Sequence, residues 1–211
     1  MNVVVAVIMS YLLGSIPTAY LFGRFLQGID IREYGSGNVG ATNAIRVLGK
    51  VPGSIVLLLD IGKGALALTV VGDVFGLDSA ASRIFLALAV VAGHNWTIFL
   101  NFKGGKGIAT SLGVLIGLTI EFPELRGVLF ICLLAWLISF LVSGIVSISS
   151  IIAATVLPVA MVLTAQSFAM ILLGVIFCLF VIIRHRPNIK RLFSGQEPKV
   201  DLPFLRKKNP S

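Results

Sequence analysis

Residues 127–146 read GVLFICLLAWLISFLVSGIV, a run of twenty residues without a single charged side chain. An α-helix needs about 20 apolar residues to cross the hydrocarbon core of a bilayer, so this run predicts a transmembrane helix. Six other apolar runs of similar character occur in the chain, and no segment shows the alternating pattern of a strand. We place the seven predicted spans at about residues 2–23, 51–72, 80–100, 107–120, 127–146, 150–165 and 168–184.

The composition of the whole chain agrees with a membrane protein. Of its 211 residues, 57% are hydrophobic and only 12% are charged, whereas about 25% of the residues of a soluble domain are charged. Because so few charges cannot cover a water-facing globule, lipid is the expected solvent for most of the chain. The predicted fold is therefore all-α and polytopic, with a single transmembrane domain over residues 1–195 and a polar C-terminal tail over residues 196–211.

The net charge of +8 comes from basic residues that lie mainly between the apolar runs. With seven spans, 14 of the 17 Lys and Arg residues fall on one side, only Arg83 and Arg126 fall on the other, and Lys63 lies within a span. Basic loops face the cytoplasm, which predicts an N-terminus outside and a C-terminus inside. This distribution explains the charge without a nucleic-acid partner. Cys132 and Cys178 lie in apolar runs, and no Cys/His cluster suggests a metal site.

The first segment with the chemistry of a binding site is GSGNVGATNAIR at residues 35–46, here termed the first glycine-rich segment. Its glycines let backbone N–H groups approach an anion, and Arg46 offers a guanidinium fork that suits two phosphate oxygens. Its neutral hydrogen-bonding side chains are Ser36, Asn38, Thr42 and Asn43. The letters also match GxGxxG, but a span precedes them instead of a strand, so a dinucleotide-binding fold is rejected. A flexible loop with turn glycines stays the alternative to an anion site.

A second glycine-rich segment, FKGGKGIAT at residues 102–110, opens the fourth predicted span. A helix N-terminus presents unpaired N–H groups and a partial positive charge, Lys106 adds a full charge, and Thr110 lies one turn further in. The segment is not a Walker A motif, because Gly107 stands where Ser or Thr follows the lysine. It predicts anion binding, and the alternative is a lysine pair that anchors a helix end on the cytoplasmic side.

Polar residues near the ends of the later spans are weaker candidates. In RHRPNIKR at residues 184–191, topology alone explains the basic residues but not His185 and Asn188. Their i, i+3 spacing lets both side chains point into one pocket. Ser147 and Ser150 lie near the start of the sixth span, where capping of the helix is the simpler explanation and substrate contact is the alternative.

Three further candidate residues lie within predicted spans. Asp60 and Lys63 are three residues apart on one helix, and we expect mutual neutralisation, or pairing with the glycine-rich loop, in preference to a proton path. His94 lies near the end of the third span and is a candidate general base. A histidine that holds the neighbouring loop by hydrogen bonds is an equally good explanation.

Three stretches, GSGNVGATNAIR, GHNWTIFLNFKGGKGIAT and RHRPNIKRL, have the order and spacing of a known family. From about Tyr11 to Gly195 the chain resembles the acyl-phosphate:glycerol-3-phosphate acyltransferase family of bacterial membranes. The resemblance implies a seven-helix enzyme of the bacterial cytoplasmic (inner) membrane, with its active site facing the cytoplasm. Such an enzyme moves a fatty acyl group from acyl phosphate to glycerol 3-phosphate, giving lysophosphatidic acid and phosphate without a metal, a cofactor or a thioester donor. The chain departs from the family pattern at residues 143–146, where basic and aromatic residues are expected.

The resemblance also implies site residues. The expected catalytic residues are Ser36, Arg46, Lys106 and His185. The expected substrate-binding residues are Asn38, Thr42, Asn43, His94, Thr110, Ser150 and Asn188. We expect direct attack by the glycerol hydroxyl, with Arg46 and Lys106 stabilising phosphate charge. Three groups stay candidates for the base that accepts the hydroxyl proton: His185, His94 and a phosphate oxygen of a substrate.

Two other functions compete with acyl transfer from acyl phosphate. A membrane transporter of a phosphorylated or other anionic solute would explain ionisable residues within spans and basic helix ends, but the halves of the chain show no internal repeat. A thioester-using acyltransferase would carry an HxxxxD motif, whereas Phe99 and Lys190 stand five residues after His94 and His185. The sequence leaves the acyl-chain preference and the oligomeric state open.

Overall fold

The structure, a computed structural model, describes residues 2–200, and every regular element in that range is helical. The α-helices are α1 (Asn2–Ser15), α2 (Thr18–Gln27), α3 (Ala41–Leu48), α4 (Lys50–Leu66), α5 (Gly72–Val74), α6 (Ala80–Asn95), α7 (Ile108–Glu121), α8 (Arg126–Ser143), α9 (Val146–Leu163), α10 (Phe168–Arg184) and α11 (Arg186–Phe193). Short 3₁₀ turns cover Ile31–Glu33, Ile98–Leu100 and Pro123–Leu125, and a π-helical turn, Ala67–Val71, joins α4 to α5. The all-α prediction is confirmed.

Helical segments long and apolar enough to cross a membrane correspond to most of the predicted spans. Five pass by length and hydropathy: Asn2–Gln27, Lys50–Val74, Ala80–Leu100, Pro123–Ser143 and Val146–Leu163. A sixth is obtained if α10 and α11, which meet at a bend of 60°, form one broken span. The predicted fourth span is the shorter apolar helix α7. The count of seven crossings and the direction of the termini stay predictions.

The chain divides into two compact units, with the boundary between Leu125 and Arg126. The first unit contains α1 to α7, and the second contains α8 to α11. The prediction of a single domain over residues 1–195 stays a prediction. Of the predicted tail, residues 201–211 lie outside the described residues.

Glycines allow very close helix packing inside the first unit. A Cβ on Gly113 would lie 1.9 Å from the carbonyl oxygen of Ile61, and a Cβ on Gly64 would lie 2.2 Å from that of Thr110. The backbones of α4 and α7 therefore touch along this contact. Only residues without a side chain permit so close an approach of two helices.

The first predicted span, residues 2–23, is not one helix. It is interrupted between Ser15 and Thr18, because Pro17 lacks a backbone N–H and its ring clashes with the preceding turn. Two side chains that are distant in the chain satisfy the carbonyls at the break: Thr97 Oγ1 donates to the oxygen of Ser15 (2.5 Å) and Lys63 Nζ to that of Ile16 (3.0 Å). Irregular backbone at membrane depth requires such partners.

In the second unit, α8 and α9 pack against each other across a two-residue connection. Gly144 has a φ of +67°, which ends α8 at Ser143 and corrects the predicted span of residues 127–146. The carbonyl of Gly144 accepts a hydrogen bond from the backbone N–H of Val200 (2.7 Å), so the start of the predicted tail returns to this turn.

Candidate active site

The first glycine-rich segment is shaped from inside by Asn43. The Oδ1 atom of this side chain accepts a hydrogen bond from the backbone N–H of Ser36 (2.8 Å), and its Nδ2 atom donates to the carbonyls of Ile31 (3.3 Å) and Tyr34 (3.1 Å). Only 1% of Asn43 is exposed. Both ends of its amide are engaged in the loop, which favours a loop-shaping role over contact with a substrate.

The other candidates of this segment lie near its surface. Ser36, Thr42 and Arg46 are exposed, and Asn38 is half-buried. Gly35 and Gly37 have φ values of +60° and +68°, a backbone conformation that glycine adopts without strain. A Cβ on Gly35 would meet Arg46 Cδ at 3.4 Å, so the arginine stem runs alongside the loop.

A charged cluster that the sequence analysis missed precedes this segment. Arg32 binds Asp30 through Nη2 and Oδ2 at 2.6 Å, and Arg24 Nη2 lies 3.6 Å from the same oxygen. Both guanidinium groups lie 5.3 Å from the ring centre of Tyr20. The hydrogen bonds from Arg32 lower the pKa of Asp30 from 3.8 to about 2, against the opposing effect of its burial. In the sequence, the alternating charges of residues 30–33 could have indicated this ion-pair cluster.

The second glycine-rich segment packs against the end of α6. The N–H groups of Gly104 and Gly105 donate to the carbonyls of Asn95 (3.2 Å) and His94 (2.9 Å). A Cβ on Gly104 would lie 2.1 Å from the His94 carbonyl oxygen, and one on Gly105 would lie 2.1 Å from His94 Nε2. These glycines are therefore required by packing, independently of any ligand.

Lys106 and Thr110 differ in their access to solvent. Lys106 is half-buried, whereas Thr110, in the first turn of α7, is fully buried. Within residues 2–200 the Thr110 hydroxyl has no hydrogen-bond partner. Gly107, directly before α7, has a φ of +80°. The structure therefore favours Lys106 over Thr110 as a direct contact for an anion.

A buried ionic cluster lies beside the second glycine-rich segment. Asp60 Oδ1 accepts a hydrogen bond from Thr18 Oγ1 (2.6 Å), pairs with Lys63 Nζ (2.9 Å) and lies 3.7 Å from His94 Nδ1. The predicted mutual neutralisation of Asp60 and Lys63 is confirmed, and His94 adjoins it.

Residues of both glycine-rich segments line one small cavity within the first unit. Val39 of the first segment and Gly104 and Gly105 of the second line it, together with Lys63, His94 and residues 14–18 at the break of the first span. Two segments that are about 60 residues apart in the chain are therefore neighbours.

In the second unit, Glu197 gathers candidate residues that the sequence analysis treated separately. Its Oε1 atom accepts hydrogen bonds from Ser147 Oγ (2.7 Å) and Asn188 Nδ2 (2.6 Å), and its Oε2 atom accepts one from Arg191 Nε (2.7 Å). Burial raises the pKa of Glu197, but these three hydrogen bonds outweigh it and the net pKa is lowered. In the sequence, the position of Glu197 within a strongly basic C-terminal stretch could have indicated these contacts.

The remaining candidates of the second unit are buried. His185, 3% exposed, lies where α10 meets α11, with Nδ1 2.8 Å from the carbonyl oxygen of Val181. Because a carbonyl only accepts, Nδ1 carries the hydrogen, and a neutral ring has its lone pair on Nε2. Ser150 Oγ donates to the Val146 carbonyl (2.8 Å). The capping expected of Ser147 and Ser150 was wrong, since Ser147 binds Glu197 instead.

An all-helical chain with several apolar spans and two basic, glycine-rich segments beside one cavity has the features of the polytopic membrane proteins that act on anionic molecules. Residues 4–195 match the sequence model of the family "Glycerol-3-phosphate acyltransferase". The chain therefore belongs to the glycerol-3-phosphate acyltransferase family, and it is a multi-pass integral membrane acyltransferase.

Individual relatives agree with this family. The glycerol-3-phosphate acyltransferase of Synechococcus sp. (strain CC9902) is 45% identical over 192 residues, which cover 91% of this chain and 92% of that protein. That of Desulforamulus reducens is 44% identical over 197 residues, covering 93% and 94% of the two chains. Family membership decides against the transporter alternative.

Solved structures of PlsY (YgiH), an integral membrane glycerol 3-phosphate acyltransferase, have the same fold. The glycerol 3-phosphate form superposes with a TM-score of 0.85 at 37% sequence identity, covering 95% of this chain and 96% of that one. The lysophosphatidic acid form superposes with a TM-score of 0.82. The roles of individual residues in this chain stay predictions.

Proposed function

We propose that this enzyme transfers a fatty acyl group from acyl phosphate to glycerol 3-phosphate, releasing lysophosphatidic acid and inorganic phosphate. We place its active site on the cytoplasmic face of the bacterial inner membrane, where the basic residues gather. The observation that supports the proposal is that Val39, Gly104 and Gly105 line one small cavity, so the two segments proposed to bind anions are neighbours. Two phosphorylated substrates require two such segments.

The two segments provide different kinds of donor. In the first, Arg46 offers a planar fork that matches two phosphate oxygens, with the exposed hydroxyls of Ser36 and Thr42 on the same stretch. In the second, Lys106 and the N-terminus of α7 offer a point charge and backbone N–H groups. Asn38 completes the proposed binding residues of the first segment, and Thr110, which is fully buried, is kept as a weaker candidate of the second.

The proposed reaction needs no enzyme nucleophile, because acyl phosphate is an activated mixed anhydride. The glycerol hydroxyl oxygen attacks the acyl carbonyl carbon, a new ester C–O bond forms, and the bond from that carbon to the phosphate oxygen breaks. The phosphate leaves with the bonding electron pair, and its charge is stabilised by Arg46 and Lys106. Holding both substrates in one complex makes the attack effectively unimolecular.

The hydroxyl proton passes to His185 or to a phosphate oxygen of a substrate. His94 is the weaker candidate of the three, since its Nδ1 faces Asp60 and its Nε2 faces Gly105. We propose His185, Asn188 and Ser150 as further substrate-contacting residues, as the family resemblance implies.

The experiment is a reconstitution with the purified full chain in lipid nanodiscs. Palmitoyl phosphate and glycerol 3-phosphate should give lysophosphatidic acid, detected by mass spectrometry, and inorganic phosphate in equal amounts. Palmitoyl-coenzyme A and an acyl carrier protein thioester serve as alternative donors and should give no product. Product from a thioester but none from palmitoyl phosphate would overturn the proposed donor.

A further inference from the structure

The proposed acyl transfer does not by itself explain why a buried ionic cluster lies beside the second glycine-rich segment. Asp60 and Lys63 are 1% and 5% exposed, so two formal charges lie inside the helix packing of the first unit. Replacing a buried ion pair with apolar residues of similar size is often neutral or stabilising. Stability alone is therefore a weak reason for the pair to be present.

The cluster reaches the second glycine-rich segment through His94. On one side of the ring, Nδ1 lies 3.7 Å from Asp60 Oδ1. On the other side, Nε2 packs so closely on Gly105 that a Cβ there would lie 2.1 Å away. The carbonyl of the same histidine accepts the Gly105 N–H at 2.9 Å. Backbone and ring of His94 thus fix the residue directly before Lys106.

The cluster also fixes the position of His94 from the far side. Lys63 Nζ bonds both Asp60 Oδ1 (2.9 Å) and the carbonyl of Ile16 (3.0 Å) at the break of the first span. Thr18, at the start of α2, donates to Asp60 at 2.6 Å. Three spans therefore meet on a single carboxylate, and His94 links it to the second glycine-rich segment.

We propose that Asp60 and Lys63 are positioning residues of the acyltransferase reaction. Acting through His94, they hold residues 103–107 in the conformation that receives a substrate phosphate. This inference rests on the proposed function, because it assumes that the second glycine-rich segment binds one of the two phosphorylated substrates. A pair that served only to neutralise itself would make no difference to that segment.

The main test uses the double variant Asp60→Asn/Lys63→Met, which removes both charges at once. A single replacement would leave an uncompensated buried charge and is strongly destabilising. We expect the double variant to keep a thermal midpoint near that of the unchanged protein. The KM for one of the two phosphorylated substrates should rise on the order of 10-fold or more, because a displaced binding group weakens the productive complex.

A second measurement reports directly on the second glycine-rich segment and does not depend on catalytic activity. A nitroxide attached to Lys103→Cys, in a background with Cys132→Ala and Cys178→Ala, reports the mobility of the exposed start of the segment. We expect the label to become more mobile when Asp60 and Lys63 are replaced. If the unchanged protein fails to use palmitoyl phosphate, the proposed function falls, while the label still decides whether the pair positions this segment.

The control removes another ion pair of the first unit that involves a buried charge. Arg83, 1% exposed, lies 2.6 Å from Asp73 and 3.2 Å from Glu121, whose side chains are 62% and 22% exposed. The variant Arg83→Met/Glu121→Gln neutralises Arg83 and Glu121 and leaves the Asp73 carboxylate in contact with solvent. This control should lower stability without changing either KM or the mobility of the label. Thr18→Val removes one hydrogen bond to Asp60. This variant takes the place of the double variant in both measurements if the double variant does not fold. Unchanged KM values and unchanged label mobility in a folded Asp60 or Thr18 variant would overturn the inference.

Discussion

The carboxylate of Glu197 and the amide of Asn188 are joined by a hydrogen bond of 2.6 Å, although a helix end and a turn separate them in the chain. The same carboxylate oxygen binds Ser147, fifty residues earlier. Asn188, which the sequence analysis paired with His185, is therefore held in place by an acid that lies within the predicted polar tail. Glu197 connects the start of α9 to α11.

Replacement of Glu197 should destabilise the second unit. In Glu197→Ala, the side chains of Ser147, Asn188 and Arg191 lose this acceptor, and we expect a loss of roughly 1–3 kcal/mol in unfolding free energy. Glu197→Gln keeps one acceptor oxygen and should lose less. Thermal unfolding in detergent measures both. Equal midpoints for the alanine variant and the unchanged protein would show that the three contacts contribute nothing.

The Asp30–Arg32 pair should make stability depend on acid pH. The folded pKa of Asp30 is about 2, lower than its ordinary value of 3.8. A lowered carboxyl pKa stabilises the folded state above the ordinary value, and this contribution is lost as the pH falls toward the folded pKa. The difference in thermal midpoint between the unchanged protein and Asp30→Asn should therefore shrink between pH 4 and pH 2. A constant difference across that range would contradict the assignment.

Loss of either proposed phosphate-binding charge should reduce turnover strongly. We expect Arg46→Ala and Lys106→Ala to lower kcat/KM on the order of 10²-fold or more, by analogy with the removal of a preorganised donor. Lys199→Ala, which removes an exposed lysine of the same charge, should have little effect. Initial rates of phosphate release from palmitoyl phosphate compare the three. If all three variants were equally active, the assigned site would be wrong.

Gly105→Ala should impair substrate binding because its Cβ would lie 2.1 Å from His94 Nε2. The segment or the ring must move, and we expect a rise in KM on the order of 10-fold. Gly62→Ala is the matched control, since a Cβ there would meet no atom of residues 2–200 within 4 Å outside its own helix backbone. An increase in KM shared by both variants would argue against a specific contact with His94.

Direct attack predicts that no acyl-enzyme forms. Rapid quenching of the enzyme with radiolabelled palmitoyl phosphate, without glycerol 3-phosphate, should leave the protein unlabelled. Ser36→Ala and Ser150→Ala serve as controls for the two serines of the proposed site. A labelled peptide containing either serine would replace direct attack with a two-step mechanism.

Hydropathy predicted where the helices lie but not how they are interrupted. Each predicted span overlaps a helix, because a run of apolar side chains is what the lipid environment selects. The break at Pro17 was missed, since the apolar run continues across it. What makes the break tolerable, hydrogen bonds from Lys63 and Thr97 to the Ile16 and Ser15 carbonyls, comes from residues more than 40 positions away.

The site was predictable where its chemistry is local. Asp60 and Lys63 share one helix face, so their pairing follows from spacing. The link from Asp60 to His94 and the role of Glu197 depend on contacts between distant segments, and spacing carries no information about them. Ser147 was assigned to capping because a start-of-helix serine usually caps, whereas here a distant carboxylate competes for its hydroxyl.

The contact between α4 and α7 also limits how the enzyme can move. At Gly64 and Gly113 two backbones meet without an intervening layer of side chains. Helices that slide past one another do so across a layer of packed side chains, which is missing here. We therefore expect α4 and α7 to move together as one rigid body. Any displacement that admits a long acyl chain should then arise away from α4 and α7, so that the start of α7, which follows the second glycine-rich segment, keeps its position during turnover.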